Sequence, residues 1–447
     1  MYNGSLALAG EFMCNRPFSM HDEPDFLGLI KILREADTTY CHLEMNLHGN
    51  GAYPGRPFAP IAMHADPKMA QELRWAGVDL VSSAYNHTLD WGIPSILGTI
   101  EALDKAGMVH AGSGNNLEEA REPAYFESKA GRVAIISMSS GHHPYDSAGV
   151  VKAPVRGRPG VNPLRITQKN VVTSRQLENL KEVWNALGLS VKRPFTVQGE
   201  EGDNFLVAGD FGGGNAATLI FRLGETPEVQ SFPDKFDVEG NLRSIRDARR
   251  QADLVIVAHH AAVNEGKRED KPCKFVPPFA KQCINAGADV FIGHGWHRLL
   301  GIEIYKGKPI WYGTGNFFTQ SHFLERFPAD CYEGHGFSLN DLAKLTPADV
   351  NDSHEIHMAN WNTQPGGMIA TLDIENGNFT QMKLYPTSMG HELDRGAVRV
   401  TGNKIDGRPM LTHGENAERI INHVRKASEP FDTRIETKDG VGIITFK

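Results

Sequence analysis

Strand-like apolar runs in this chain repeatedly end on a residue that can hold a proton or a cation. Ser5–Ala9 leads to Gly10-Glu11, and Thr38–Leu43 leads to Glu44 with Asn46 just beyond. Val78–Ser82 leads to Asn86-His87 and Asp90, and Leu254–Ala258 leads to His259-His260. Val290–Ile292 breaks at Gly293 into His294 and His297, and the pair Gly301–Tyr305 and Pro309–Tyr312 runs into Gly313-Thr314-Gly315-Asn316. Helix-patterned segments alternate with these runs: Asp66–Trp75, Pro94–Ala106, Ser244–Ala252 and Pro278–Ala286. The alternation predicts an α/β fold whose mainly parallel or mixed sheets are covered by helices. Strand ends on one sheet edge converge, so residues far apart in sequence meet there.

The chain's 447 residues, 40% hydrophobic and 22% charged, suffice for one large domain or up to three ordinary ones. A net charge of −8 with no long Lys/Arg run argues against nucleic acid and anionic membrane surfaces as partners. No apolar run reaches membrane-spanning length, and MYNGSLALAGEF enters a strand directly, so the expected location is cytoplasmic. Five cysteines with no CxxC pair read as free thiols.

Two stretches interrupt the α/β texture of what is otherwise read as one domain over residues 1–447. Segment 142–235 is rich in Pro, Gly and Arg, with one expected helix (Ser174–Leu187), and reads as a lid or a homodimer arm. Its Gly209–Asn215 run reads as a β-turn, because no helix-opening Lys-Ser/Thr follows to cradle phosphate. Segment 319–361 reads as pocket loops. A hairpin of Met368–Ile374 and Phe379–Tyr385, a helix over Glu415–Ala427 and a strand over Val441–Phe446 close the chain.

Carboxylates, an amide oxygen and neutral imidazoles together form a mixed oxygen and nitrogen donor set that suits Zn, Mn or Fe(II). Two carboxylates on one edge repel unless a cation or a shared proton lies between them. Tyr85, Trp91, Trp296, Trp311, Phe317 and Phe318 flank these positions, and His322, Phe323 and Phe327 lie in the second insertion. Such rings either stack on a flat organic substrate or pack the core beneath the loops.

Gly10-Glu11, His42-Leu43-Glu44, Ala84–Gly92 (AYNHTLDWG), His259, Gly293–His297 (GHGWH) and Gly313–Phe317 carry a resemblance over nearly the whole chain. The sequence resembles the CapA-type, poly-γ-glutamate and capsule-synthesis branch of the calcineurin-like metallophosphatase superfamily. That resemblance implies a four-layer αββα sandwich with the site at one edge of two sheets. It implies Glu44 bridging two cations, with Asn86, His259 and His294 holding one and Glu11 and His297 the other. It also implies His87 as general acid, oriented by Asp90. Tyr85, Trp296, Asn316, Phe318 and His260 stand beside these positions as candidate substrate contacts. The chain departs from the superfamily pattern where Glu11-Phe12-Met13 replaces Asp-x-His, Tyr85 replaces Asn, and His260 replaces Trp. These changes imply a weakened first cation site, or none.

Three functions follow. The first is a metal-dependent hydrolase of a phosphoester or amide-like bond in a small organic or peptide substrate. The second is a metal-free acid/base enzyme using Glu11 with His87, His294 or His297, either an epimerase or a lyase of a C–C bond in an aromatic alcohol. The third is a non-catalytic binding module in polymer assembly.

Overall fold

The strand Gly4–Met13 organises the larger sheet. It runs parallel to Thr38–Leu43, with Leu6 opposite Thr38 and Leu8 opposite Tyr40. On its other side it is antiparallel to Gly367–Glu375, while its last residues pair in parallel with Asn316–Thr319. Leu80–Ser82 and Val109–Ala111 extend the parallel half. Asn378–Ser388 and Val441–Thr445 extend the antiparallel half, and the short strands Met410–Leu411 and Glu436–Lys438 bring the sheet to ten strands among the described residues. The computed structural model describes residues 1–49, 51–55, 60–187, 205–208, 219–263, 265, 270–359, 366–389 and 407–446.

A second sheet of six strands takes the order Ile302–Tyr305, Lys308–Trp311, Val290–His294, Leu254–His260, Gly131–Ser139, Ala124–Ser128. Its central pairs are parallel, which requires crossovers, and the helices Lys235–Arg249 and Val276–Ala286 supply two of them. The first starts on Asp234, whose side chain accepts the Asp237 N–H. The second opens with prolines in its first turn and stops at Gly287, whose φ of 123° suits glycine.

The period-two alternation of the strands sorts their side chains into separate cores. Leu6 and Leu8 join Val133, Ile135, Ile256, Val290, Ile292 and Trp311, so one cluster draws on both sheets. Ala7, Ala9, Cys41 and Leu43 instead pack with Phe26, Leu29, Leu33, Met69 and Leu103 of the helices. Ala134, Ile136, Val255 and Val257 pack with Ile245, Phe279, Ala280 and Cys283. Each buried Leu, Ile or Phe stabilises these contacts by about 1.5–3 kcal/mol relative to exposure.

Several elements depart from the sequence reading. A helix over Pro24–Glu35 buries Phe26, Leu29, Ile30 and Leu33, a spacing the alternation argument passed over. The helix expected at Ser244–Ala252 begins at Lys235 and ends at Arg249. The strand expected to stop at Ala258 carries both His259 and His260. Segment 142–235 builds a four-stranded sheet ordered Phe205–Ala208, Leu219–Leu223, Ile166–Val172, Glu228–Pro233, beside the helix Ser174–Ala186. The expected turn at Gly209–Asn215 lies outside the described residues. All five cysteines are buried and none forms a disulfide. Among the described residues, no helix is long and apolar enough to cross a membrane.

Candidate metal centre

Glu11 reaches the site because the backbone around it is irregular. The ladder to Thr38–Leu43 shifts register between Leu8 and Glu11, which re-aims the side chain from the expected face. Gly10 permits this, since a Cβ there would lie 2.1 Å from the Gly315 carbonyl oxygen. The Glu11 carboxylate is fully buried. Its Oε1 accepts the Gly295 N–H at 2.6 Å, and its Oε2 contacts His297 Nδ1 as an ion pair. Gly295, at φ 97°, and His297, at φ 53°, both lie in the left-handed region, so a strained turn presents this imidazole. Asn316 begins a strand, in register with Glu11, and its Oδ1 stands 3.0 Å from His297 Nδ1. It therefore holds a site imidazole.

Glu44 follows directly on its strand and is 1% exposed. Its oxygens lie 3.8 Å from His297 Nδ1 and 3.9 Å from His260 Nε2, and no hydrogen-bond donor among the described residues reaches either. Two groups of donors share it. His42, Glu44 and His260 form one, and Glu11, Glu44 and His297 the other, each with ligand atoms within 4.8 Å of one another. A buried carboxylate left without donors costs several kcal/mol unless it is neutralised or coordinates a cation. Carboxylate oxygens with imidazole nitrogens in this number fit a divalent transition metal.

The electrostatics are consistent with that role. Burial pushes Glu44 well above the usual carboxylate range and Glu11 adds to it, while His297 opposes. Burial also works against ionisation of Glu11, but His297 outweighs it and holds Glu11 low. Burial would depress His297, yet Glu11 and Glu44 lift it above the ordinary histidine range. His42, His260 and His294 are each held well below that range, chiefly by burial, so they are neutral.

Asn86 Oδ1 accepts from His260 Nε2 at 2.9 Å. His87, one fifth exposed, bonds through Nδ1 to Asp90 Oδ2 at 2.7 Å, and Asp90 is itself fixed by the Met63 N–H. The turn carrying this pair is tied down by Asn46, which donates to the His87 carbonyl.

The structure places several of the expected residues elsewhere. His259 alternates to the opposite face from His260, where its ring meets Phe275, Phe279 and Phe291 and its Nε2 bonds Ser140. His260, expected as a substrate contact, takes the place among the donors. His294 stays near them but belongs to neither group, and its Nε2 bonds the Tyr40 hydroxyl. Tyr85 is 1% exposed with its hydroxyl donating to Asn46, and Phe318 packs on Phe12 and Phe18 inside the core. Trp296 is partly buried against the core cluster outside the second sheet. Sequence reasoning missed His42 as a site residue, along with Ser82 and Tyr40 behind it. The period of its strand carries the signal, since Tyr40 and His42 share the inward parity while Cys41 and Leu43 face the helices.

The profile of the bacterial capsule synthesis protein family PGA_cap matches residues 5–321. The uncharacterized protein y4sH of Sinorhizobium fredii is 29% identical over 98% of this chain and 92% of its own length. A probable polyglutamine synthesis accessory protein of Mycobacterium tuberculosis is 25% identical over 64% of this chain and 57% of its own. The PGA biosynthesis protein CapA of Bacillus subtilis is 35% identical over 26% of this chain and 30% of its own. The chain belongs to the bacterial capsule synthesis family PGA_cap, the CapA type that its strand-end motifs resemble.

Proposed function

We propose that this protein is a metal-dependent hydrolase of an amide-like or phosphoester bond in a small organic or peptide substrate. The observation that carries the reading is Glu44: buried, with no hydrogen-bond donor among the described residues, and shared by two sets of metal-ligating side chains. A bound divalent cation supplies Lewis acidity and lowers the pKa of water. Glu11 is held for that task by the Gly295 N–H, and neutral His42 and His260 bring lone pairs. Asp90 accepts the Nδ1 proton of His87, which leaves Nε2, once protonated, to pass its proton to the leaving group. The polyglutamine and PGA biosynthesis names of the relatives favour the amide-like bond of the two. The three core clusters, one drawing on both sheets and two lining them with helices, support the four-layer αββα arrangement.

The test is elemental analysis of protein purified without chelator, followed by assay on amide and phosphoester substrates before and after EDTA. Metal near stoichiometry and activity abolished by EDTA are expected. Less than about a tenth of an equivalent of any transition metal overturns the reading. The Glu11–His297 ion pair favours a second reading, metal-free proton transfer. Activity that survives EDTA and is lost in Glu11→Gln would select it.

A further inference from the structure

Behind the donors runs a continuous buried chain of hydrogen bonds that joins the two sheets. Asn86 Oδ1 lies 2.9 Å from His260 Nε2, and His260 Nδ1 lies 3.0 Å from His42 Nε2. His42 Nδ1 lies 2.6 Å from Ser82 Oγ, which lies 2.6 Å from the Tyr40 hydroxyl. Tyr40 in turn lies 3.0 Å from His294 Nε2. Tyr40, His42, Ser82, His260 and His294 are each 1% exposed or less.

One amide fixes the sense of the whole chain. A carboxamide oxygen only accepts, so His260 Nε2 carries the proton, and His260 Nδ1, being neutral, accepts from His42 Nε2–H. His42 Nδ1 then accepts from Ser82, Ser82 accepts from Tyr40, and Tyr40 accepts from His294 Nε2–H. His294 Nδ1 is left as a bare lone pair, buried with no hydrogen-bond partner among the described residues.

This arrangement conflicts with His42 acting as a ligand. Its Nδ1 is committed to Ser82, so Nε2 is the nitrogen that can turn to a cation, yet Nε2 carries the proton. We propose that Ser82 and Tyr40 are positioning residues for His42, forming a hydroxyl relay whose hydrogen bonds reverse direction when His42 takes up a cation. In the reversed state His42 Nδ1–H donates to Ser82, Ser82 to Tyr40, and Tyr40 to His294 Nε2. The protons of the relay each shift one place toward His42 Nδ1, the His42 Nε2 proton leaves to solvent as the cation enters, and one proton is taken from solvent at His294 Nδ1. Each member keeps its proton count, so no charge is created in the core. This inference rests on the cation reading of the site, but the metal-free sense of the relay is testable without it.

The experiment uses the full-length chain with ¹⁵N-labelled histidine, read by NMR for imidazole tautomers, with Zn²⁺ affinity measured against a chromophoric chelator. The metal-free protein is expected to show the Nε2–H tautomer at both His42 and His294, and saturation with Zn²⁺ to convert both to Nδ1–H. Tyr40→Phe keeps the ring and removes the hydroxyl, and Ser82→Ala removes the other link. Each should weaken Zn²⁺ about 10–100-fold, as loss of a partner behind a ligand does. Tyr2→Phe, which deletes a buried hydroxyl bonded to Thr38 and the Ser5 carbonyl, should leave affinity unchanged. Wild-type Zn²⁺ binding that Tyr40→Phe and Ser82→Ala do not weaken overturns the inference and spares the cation reading. Absence of Zn²⁺ binding in the wild type overturns the cation reading, and with it the reversal. His42 or His294 found as the Nδ1–H tautomer in the metal-free wild type overturns the relay itself.

Discussion

The imidazoles of His42 and His294 lie nearly parallel, with ring centroids 4.2 Å apart and planes 15° from each other. One comes from the end of Thr38–Leu43 in the larger sheet, the other from the end of Val290–His294 in the smaller. The aliphatic contact between the sheets is thus replaced, at one edge, by stacked neutral rings. Two imidazolium ions could not occupy these positions without strong repulsion.

The opposed faces of neighbouring histidines give the first prediction. His260→Ala should remove at least about 100-fold of metal affinity, as loss of a direct ligand exceeds the 10–100-fold effect of losing a supporting partner. His259→Ala should leave affinity near wild type and lower stability by about 2–4 kcal/mol, through the cavity opened among Phe275, Phe279 and Phe291. Metal titration paired with urea melts separates the two.

Glu44→Gln keeps the side-chain volume but withdraws the shared anion from both donor sets. Wild type should gain thermal stability on adding Zn²⁺, by RT ln(1 + [L]/Kd), and the variant should gain little. Thermal melts across a Zn²⁺ series measure this. An equal Zn²⁺-dependent rise in both proteins would show that Glu44 is not a ligand.

Asp90→Asn should lower kcat by about 10²–10⁴-fold, because an amide can hold His87 in the wrong tautomer. Metal content should not change, since Asp90 lies in neither donor set. Steady-state kinetics with elemental analysis on the same preparation checks both halves.

Acid stability tests the link between Glu23 and Arg408, whose guanidinium makes bonds of 2.8 and 2.7 Å to the carboxylate. The Arg408 hydrogen bonds, opposed by burial, lower Glu23 from 4.5 to about 2. A depressed carboxyl stabilises the fold above its unfolded pKa and loses that contribution as pH falls through its folded value. The stability difference between wild type and Glu23→Gln should therefore hold steady above pH 4.5 and close as the pH drops toward about 2. Chemical melts at stepped pH values report it.

Much of the architecture was legible because period-two strands alternate with helical segments. The hairpin of Gly367–Glu375 and Asn378–Ser388 and the last helix, Gly414–Ser428, fall within a few residues of their expected bounds. The site was legible as a set of strand ends but not in its facing. Leu254, Ile256 and Ala258 share the inward parity, and extending that parity two residues selects His260 over His259. Reading the strand as ending at Ala258 discarded that information. At Glu11 parity alone misleads, because the register shift after Leu8 reverses it, and no local pattern of residue types announces a bulge. The helix Pro24–Glu35 was written in its apolar spacing and in a proline at its start.

The two donor sets draw Glu11, His42 and Glu44 from the larger sheet and its edge, and His260 and His297 from the smaller and the loop that follows it. Any ion seated there clasps both halves of the molecule, so its hold depends on how those halves are aligned. A slide of half an ångström along the seam would spoil coordination without moving any ligand relative to its own strand. Changes to distant aliphatic residues such as Leu6 or Ile292, which set that alignment, should retune the centre from afar.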